Sequence, residues 1–145
     1  MLRRSLVALA AAIIVMTLAN CGGGYSAPPP TSPGGGTGAA ATITIRSDGT
    51  FSPKEVQIAV GERVRFINQD SRPHQPTSNP HLQHTDCPSA NLPELSTGQS
   101  QTTPAFNAPD VCGIHDHQNP DSTGMHGIIR VGGAQGPGGP IYVKQ

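Results

Sequence analysis

The stretch Cys112-Gly-Ile-His-Asp-His-Gln-Asn-Pro-Asp-Ser-Thr-Gly-Met-His126 decides how this chain folds, and the apolar run from Ile128 to Val131 follows it directly. The pattern predicts a strand that delivers Cys112 to a loop, with a second strand after the loop. The loop carries thiol, imidazole and thioether groups at a density that ordinary loops do not have. Transition metals bind such donors when a rigid frame makes them converge. The stretch therefore predicts a metal-binding loop.

The composition places the ordered part in the middle of the chain. With 145 residues, one domain is expected, and the 18 glycines and 15 prolines concentrate towards the two ends. The formal net charge is zero and aromatic residues make up 3% of the chain. Because it has neither a basic patch nor an aromatic stacking surface, we expect no nucleic-acid partner.

Residues 1–21 have the pattern of an export signal. Arg3 and Arg4 precede an uncharged apolar segment, Leu6 to Leu18, that is short for a membrane span. Its end, Leu-Ala-Asn-Cys21, resembles the lipobox of bacterial lipoproteins, which implies that Cys21 is lipidated. The alternatives are a plain secretory signal and an uncleaved anchor. The resemblance implies an extracytoplasmic protein of the cell envelope, held on the membrane by its lipid.

Regular alternation of apolar and polar residues predicts an all-β domain over residues 42–131. Residues 22–41 form a Gly/Pro-rich tether that is predicted to be disordered, and 132–145 form a flexible tail of the same kind. Short strands separated by turns predict a β-sandwich, expected to be a monomer. The predicted strands cover 42–46, 55–60, 63–68, 99–106, 111–114 and 127–131.

All six histidines fall between His74 and His126, and residues 70–98 form a long polar loop that carries three of them. A loop of this length in a compact domain is usually functional. Alternation in an extended segment places His115 and His117 on the same side, with Asp116 opposite. The loop histidines His81 and His84 are less certain donors.

The cysteines leave two possibilities open. If Cys21 is lipidated, Cys87 and Cys112 remain, and a pair in an exported domain is more often a disulfide than two free thiols. Such a bridge closes a loop of about 25 residues and contributes roughly 3 kcal/mol by the chain-entropy model. The alternative is a free Cys112 thiolate that binds metal.

Several phrases together resemble the cupredoxins, and more closely a bacterial subgroup with the pattern N-x-D-S-R-P-H, H-T-D-C-P and C-G-x-H-D-H. These phrases are the Phe-Ser-Pro turn at 51–53, the Val-Gly-Glu-Arg-Val hairpin at 60–64, the segment from Asn68 to His74, and the closing Cys-x-x-His and Met-x-Gly. The resemblance implies a Greek-key β-sandwich that binds one copper ion. Counted from Phe106, the family's thiolate position falls near Asp116.

The resemblance implies one of two ligand sets, according to the state of Cys112. With Cys112 in a disulfide, an all-imidazole site uses His74, His115 and His117, completed by His81 or His84, and suits Cu(II) or Zn. With Cys112 as thiolate, a blue-copper site uses Cys112, His74 and one of His115 and His117. Met125 is then the weak axial ligand.

Three functions from different classes fit these ligand sets. The first is one-electron transfer through a mononuclear copper site, with a redox partner protein. The second is a copper carrier or scavenger with an all-histidine site. A superoxide dismutase-like enzyme ranks last, since the chain shows no second-metal cluster and no carboxylate pair at a defined spacing.

Overall fold

The structure, a computed structural model, describes residues 38–135. The predicted export signal, the lipidation site Cys21, most of the tether and the last ten residues of the tail lie outside this range. Among the described residues, no helix is long and apolar enough to cross a membrane.

The described chain consists of eight strands and two short 3-10 helices. The strands are β1 (Ala41–Ile45), β2 (Phe51–Ser52), β3 (Glu55–Ile58), β4 (Val64–Asn68), β5 (Pro76–Ser78), β6 (Ser100–Thr102), β7 (Asp110–Asp116) and β8 (Gly127–Val131). The 3-10 helices cover Pro88–Ala90 and Thr123–Met125.

The strands form two four-stranded sheets. One has the order β2-β1-β4-β6 and the other β3-β8-β7-β5. In the first sheet β1 pairs with β4 in parallel, and in the second β3 pairs with β8 in parallel; the other pairings are antiparallel. The expectation of an all-β sandwich is confirmed.

Residue alternation explains how the sheets bury a common core. In β3, Val56 and Ile58 are buried while the two residues between and before them are exposed. In β4, Val64 and Phe66 are fully buried. Apolar side chains that alternate along a strand lie on one face of the sheet, so both sheets turn an apolar face inward. Phe51 contacts Phe66 edge to face, with ring centroids 6.1 Å apart.

The second sheet differs from the sequence prediction at the strands that carry the histidines. The strand predicted over 111–114 runs from Asp110 to Asp116, because β5 pairs with its last residues: Pro76 faces Asp116 and Thr77 faces His115. Strand β5 lies inside the segment predicted as a loop. The strand predicted over 99–106 is short, since only Ser100–Thr102 pairs with β4.

The predicted disulfide is present. Cys87 and Cys112 are joined, with their Cα atoms 5.6 Å apart and a sequence separation of 25. Cys112 lies in β7, and Cys87 directly precedes the first 3-10 helix. The bond therefore ties the segment after β5 to the strand that carries His115.

Candidate metal centre

Four imidazoles from two segments of the second sheet lie together. His81 and His84 belong to the turn after β5, whereas His115 is the second-last residue of β7 and His117 directly follows the strand. The ring centroid of His84 lies 5.0 Å from that of His117 and 5.2 Å from that of His115. The centroid of His81 lies 5.8, 5.4 and 5.1 Å from those of His84, His115 and His117. We refer to these four residues as the imidazole cluster.

The turn from Pro80 to His84 is held in a conformation that brings its two histidines to β7. The backbone N–H of His84 donates to the carbonyl of Pro80 at 2.9 Å. Leu82 and His84 adopt φ values of 77° and 51°, in the left-handed region that non-glycine residues rarely use. A residue costs energy in that region and persists there only when its surroundings hold it. The placement of His81 and His84 is thus determined by the surrounding fold.

The bonds around His84 fix which of its nitrogens is available. Nδ1 lies 2.8 Å from the carbonyl oxygen of Ser78, an acceptor, so Nδ1–H is the donor. In the neutral ring the lone pair is then on Nε2, which lies 3.0 Å from Nδ1 of His117. Metal-bound histidines commonly donate their other N–H to a carbonyl in this way. His84 is therefore oriented as a ligand.

The same arrangement recurs at His115, which is completely buried. Nδ1 lies 3.0 Å from Oδ1 of the buried Asn79, so Nε2 carries the lone pair. That atom lies 3.3 Å from Nδ1 of His81 and 3.3 Å from Oγ1 of Thr77. Burial first, and then the neighbouring imidazoles of His84 and His81, lower the pKa of His115 from 6.5 to about 4. The ring is neutral at pH 7, the form that binds metal.

The donor atoms of three cluster members are close enough for one ion. One nitrogen each of His81, His84 and His117 lies within 4.8 Å of the others, and these three residues are partly exposed. His115 adjoins this group from the buried side. The two residues that sequence analysis ranked as less certain, His81 and His84, are thus central to the cluster, together with the predicted His115 and His117.

His74 is the predicted ligand that the structure does not bring to the cluster. Its Nδ1 lies 3.0 Å from Oδ2 of Asp116, and its Nε2 lies 2.9 Å from Oδ2 of Asp70. The ring is fully buried. With both nitrogens held by carboxylates, it has no lone pair directed at the other imidazoles. The expectation that His74 belongs to the ligand set is untested, and the set that we propose below omits it.

The carboxylate partners of His74 are themselves fixed. Asp116 accepts from the backbone N–H of Gln75 at 2.8 Å and from the side chain of Asn119 at 2.7 Å. The hydrogen bond from His74 lowers the pKa of Asp70 from 3.8 to about 2, with smaller contributions from Ser71 and Arg72 and an opposing one from burial. Counting from Phe106 places the thiolate of the cupredoxin family near Asp116. In this structure the carboxylate of Asp116 contacts the imidazole of His74.

The alternative blue-copper set is not assembled. Cys112 is in the disulfide and has no thiolate to offer. Met125 is 1% exposed and packs in the apolar core. His126 is 7% exposed, and its Nε2 donates to the carbonyl of Pro120 at 2.8 Å.

Asn79 is a contributor that sequence analysis missed. It is 1% exposed, its side chain holds His115, and its backbone N–H donates to Gly113 of β7. Its position directly before Pro80 and His81 was the available signal, because an amide beside a potential ligand is a natural orienting group.

Comparison with known proteins supports the fold. No protein-family model matches the chain, and no curated protein matches it in sequence. Among solved structures, a purple cupredoxin from Nitrosopumilus maritimus matches 63% of this chain and 98% of its own, with 26% identity and a TM-score of 0.52. A mutant plastocyanin of a fern matches 62% and 98%, with 18% identity and a TM-score of 0.51.

A copper-containing nitrite reductase from Thermus scotoductus also matches, over 67% of this chain but 22% of its own length, with 24% identity and a TM-score of 0.52. The similarity thus extends to one part of a larger enzyme. With the two-sheet architecture described above, these matches show that the chain has a cupredoxin-like β-sandwich fold.

Proposed function

We propose that this domain binds one copper ion through the imidazole cluster and serves as a copper carrier or scavenger. The observation that carries the proposal is the convergence of His81, His84 and His117, whose donor nitrogens lie within 4.8 Å of one another. His115 supplies the fourth imidazole from the buried side.

The spacing of the nitrogens suits a single ion. Two ring nitrogens that are each about 2.0–2.1 Å from a metal lie roughly 3 Å apart in a four-coordinate site. Nε2 of His84 and Nδ1 of His117 are 3.0 Å apart, and Nε2 of His115 and Nδ1 of His81 are 3.3 Å apart. Four imidazoles without a thiolate suit Cu(II) in tetragonal geometry.

The exposure of the ligands favours a carrier. Three of the four imidazoles are partly exposed, and two of them lie on one short turn. An incoming ligand from a partner can therefore replace His81 and His84 while His115 in β7 and His117 directly after it stay in place. Delivery of an ion needs such a stepwise exchange, and no chemical turnover of a substrate is required.

One-electron transfer to a redox partner is the second candidate. The observation in its favour is the β frame: His115 lies in β7, which pairs on both sides. A rigid frame limits rearrangement between the two copper oxidation states. The lipid anchor at Cys21 would hold either function on the outer side of a membrane of the cell envelope. An enzymatic role receives less support, because the match to the nitrite reductase covers 22% of that enzyme.

Titration of the metal-free protein with Cu(II) tests the proposal. We expect one equivalent to bind with a pale visible spectrum, since no thiolate contributes intense charge-transfer absorption. Replacing His84 by Ala lowers the affinity strongly, whereas Gln83→Ala, an exposed neighbour in the same turn, leaves it unchanged. Equal affinity in the two variants would contradict the site. An intense blue or purple colour would contradict the all-imidazole ligand set.

The carrier and electron-transfer roles differ in whether the protein retains copper when the ion is reduced and oxidised again. A carrier releases its ion to a competing chelator in at least one oxidation state on a time scale of seconds. An electron carrier retains copper through repeated oxidation and reduction. Measuring copper retention by gel filtration after redox cycling separates the two outcomes.

A further inference from the structure

A second group of metal-binding donors lies around the disulfide. Oδ2 of Asp110 lies 3.2 Å from Sγ of Cys87. One donor atom from each of Cys87, Asp110 and Cys112 lies within 4.8 Å of the others. Because neither sulfur of a disulfide carries a hydrogen, the contact between Asp110 and Cys87 joins two atoms that bear lone pairs.

A cavity gives access to this group from solvent. It has a volume of about 240 Å³ and is lined by Cys87 and Asp110, with Phe106 and Asp86 among the other walls. Cys87 is 5% exposed, whereas Cys112 is fully buried. Because Cys87 lines the cavity and Cys112 does not, we place the attack of a reductant at the sulfur of Cys87.

We propose that reduction of this disulfide by a dithiol creates a second metal site, in which Cys87, Cys112 and Asp110 bind a zinc-class divalent cation. Two thiolates and one carboxylate are donors that Zn²⁺ takes in proteins, and a water molecule completes a tetrahedral set. The two thiolates neutralise the charge of the ion, which suits a site at the edge of the core. The oxidised protein lacks the thiolates and so lacks the site.

The reduction step balances within the named reactants. A thiolate of the dithiol attacks Sγ of Cys87, the S–S bond breaks, and Cys112 leaves as a thiolate. The second thiol of the reductant then closes its own disulfide and releases Cys87. Two electrons pass from the dithiol to the cysteine pair, and the divalent cation displaces the two thiol protons to solvent.

This site does not depend on the imidazole cluster. Its donors are different, although Cys87 follows His84 by three residues and Cys112 precedes His115 by three. The proposal can therefore be tested with the cluster disabled, and its failure would leave the proposed function untouched.

The test uses the full chain with His84→Ala and His117→Ala, so that the cluster cannot bind the probe. The protein is reduced anaerobically with a phosphine, which adds no competing thiol, and is titrated with Co²⁺ as a spectroscopic substitute for Zn²⁺. We expect one equivalent of Co²⁺ to give thiolate-to-cobalt charge-transfer absorption that Zn²⁺ abolishes. The oxidised protein should give no such absorption.

Two carboxylate variants form a matched pair. Asp110→Asn removes a donor and should lower the Co²⁺ affinity by at least about tenfold, the lower range seen when groups that support a metal are removed. Asp86→Asn makes the same change in charge in the same cavity but lies outside the donor group, so the affinity should not change. Cys112→Ser should abolish the charge-transfer absorption.

Three results would overturn the proposal. The first is a reduced protein that keeps its circular dichroism spectrum but shows no cobalt–thiolate absorption. The second is loss of the folded spectrum on reduction, since the donors would then no longer be held together. The third is an Asp86→Asn variant that weakens Co²⁺ binding as much as Asp110→Asn does. The carboxylates would then attract the cation by their charge alone, and Asp110 would not be a ligand.

Discussion

Replacing His74 by Ala separates a structural histidine from a metal ligand. In the structure this ring joins two carboxylates from different segments, Asp70 and Asp116, and lies fully buried between them. Removing one partner of a buried ion pair costs about 3–5 kcal/mol, because the charge of the other partner is left uncompensated. His74 and Asp116 are both completely buried, so we expect the free energy of unfolding to fall by about this amount.

The size of the effect can be expressed as a melting temperature. For a domain of roughly 100 residues, 1 kcal/mol corresponds to a shift of about 4–8 °C, so a loss of 3 kcal/mol lowers Tm by about 12–24 °C. Urea unfolding at 10–15 °C, about the temperature of maximum stability, gives the free energy directly. Copper affinity, measured where the variant is still folded, should stay within about twofold of wild type, or less than 0.5 kcal/mol.

His84→Ala is the opposite case and the matched control. Its ring is partly exposed and makes one bond to a backbone carbonyl. Removing it should cost about 1 kcal/mol of stability and most of the copper affinity. The reasoning is refuted if His74→Ala remains as stable as wild type while losing copper to the same extent as His84→Ala. That result would place His74 in the ligand set, as the family resemblance implied.

The remaining predictions concern acid stability, the disulfide and an orienting amide. The pKa of Asp70 is lowered from 3.8 to about 2 in the folded state, so its contribution to stability is full above pH 3.8 and is lost as the pH falls towards 2. In Asp70→Asn, the free energy of unfolding measured with urea should therefore depend less on pH between 3.8 and 2. An unchanged pH dependence would contradict this prediction. Replacing Cys87 and Cys112 together by Ala should lower the free energy of unfolding by about 3 kcal/mol, and an unaltered Tm would show that the bond constrains little. Asn79→Ala should weaken copper binding by about 10–100-fold by releasing the ring of His115, with Asn79→Asp restoring part of it; equal affinity in all three proteins would show that the amide does not orient the ring.

The strands could be predicted where burial is one-sided. The alternation at Glu55–Ile58 and Val64–Asn68 is a local property of the chain, so the residues themselves predict the elements. Strand β5 could not be predicted, because Pro76–Ser78 has no alternation and is buried at every position. It is a strand only because the end of β7 pairs with it.

The same distinction applies to the candidate site. The alternation of His115 and His117 around Asp116 is local, and the sequence predicted their common side. Whether His74 faces metal or carboxylate depends on Asp70 and Asp116, which lie 4 and 42 residues away in the chain. No short pattern contains that information. The cysteine count predicted the disulfide because only two cysteines remain after Cys21.

A carboxylate stands at the position where the family resemblance implies a thiolate, which is consistent with the different ligand set that we propose. The family resemblance implies a thiolate there that binds copper together with His74, whereas the oxygens of Asp116 accept hydrogen bonds and hold Nδ1 of His74. Neighbouring residues of a strand point to opposite sides, so His115 and His117 face away from Asp116. They meet His81 and His84 on that other side. The sandwich therefore retains its frame, while the donors that we propose for copper lie on the side of this segment opposite to Asp116.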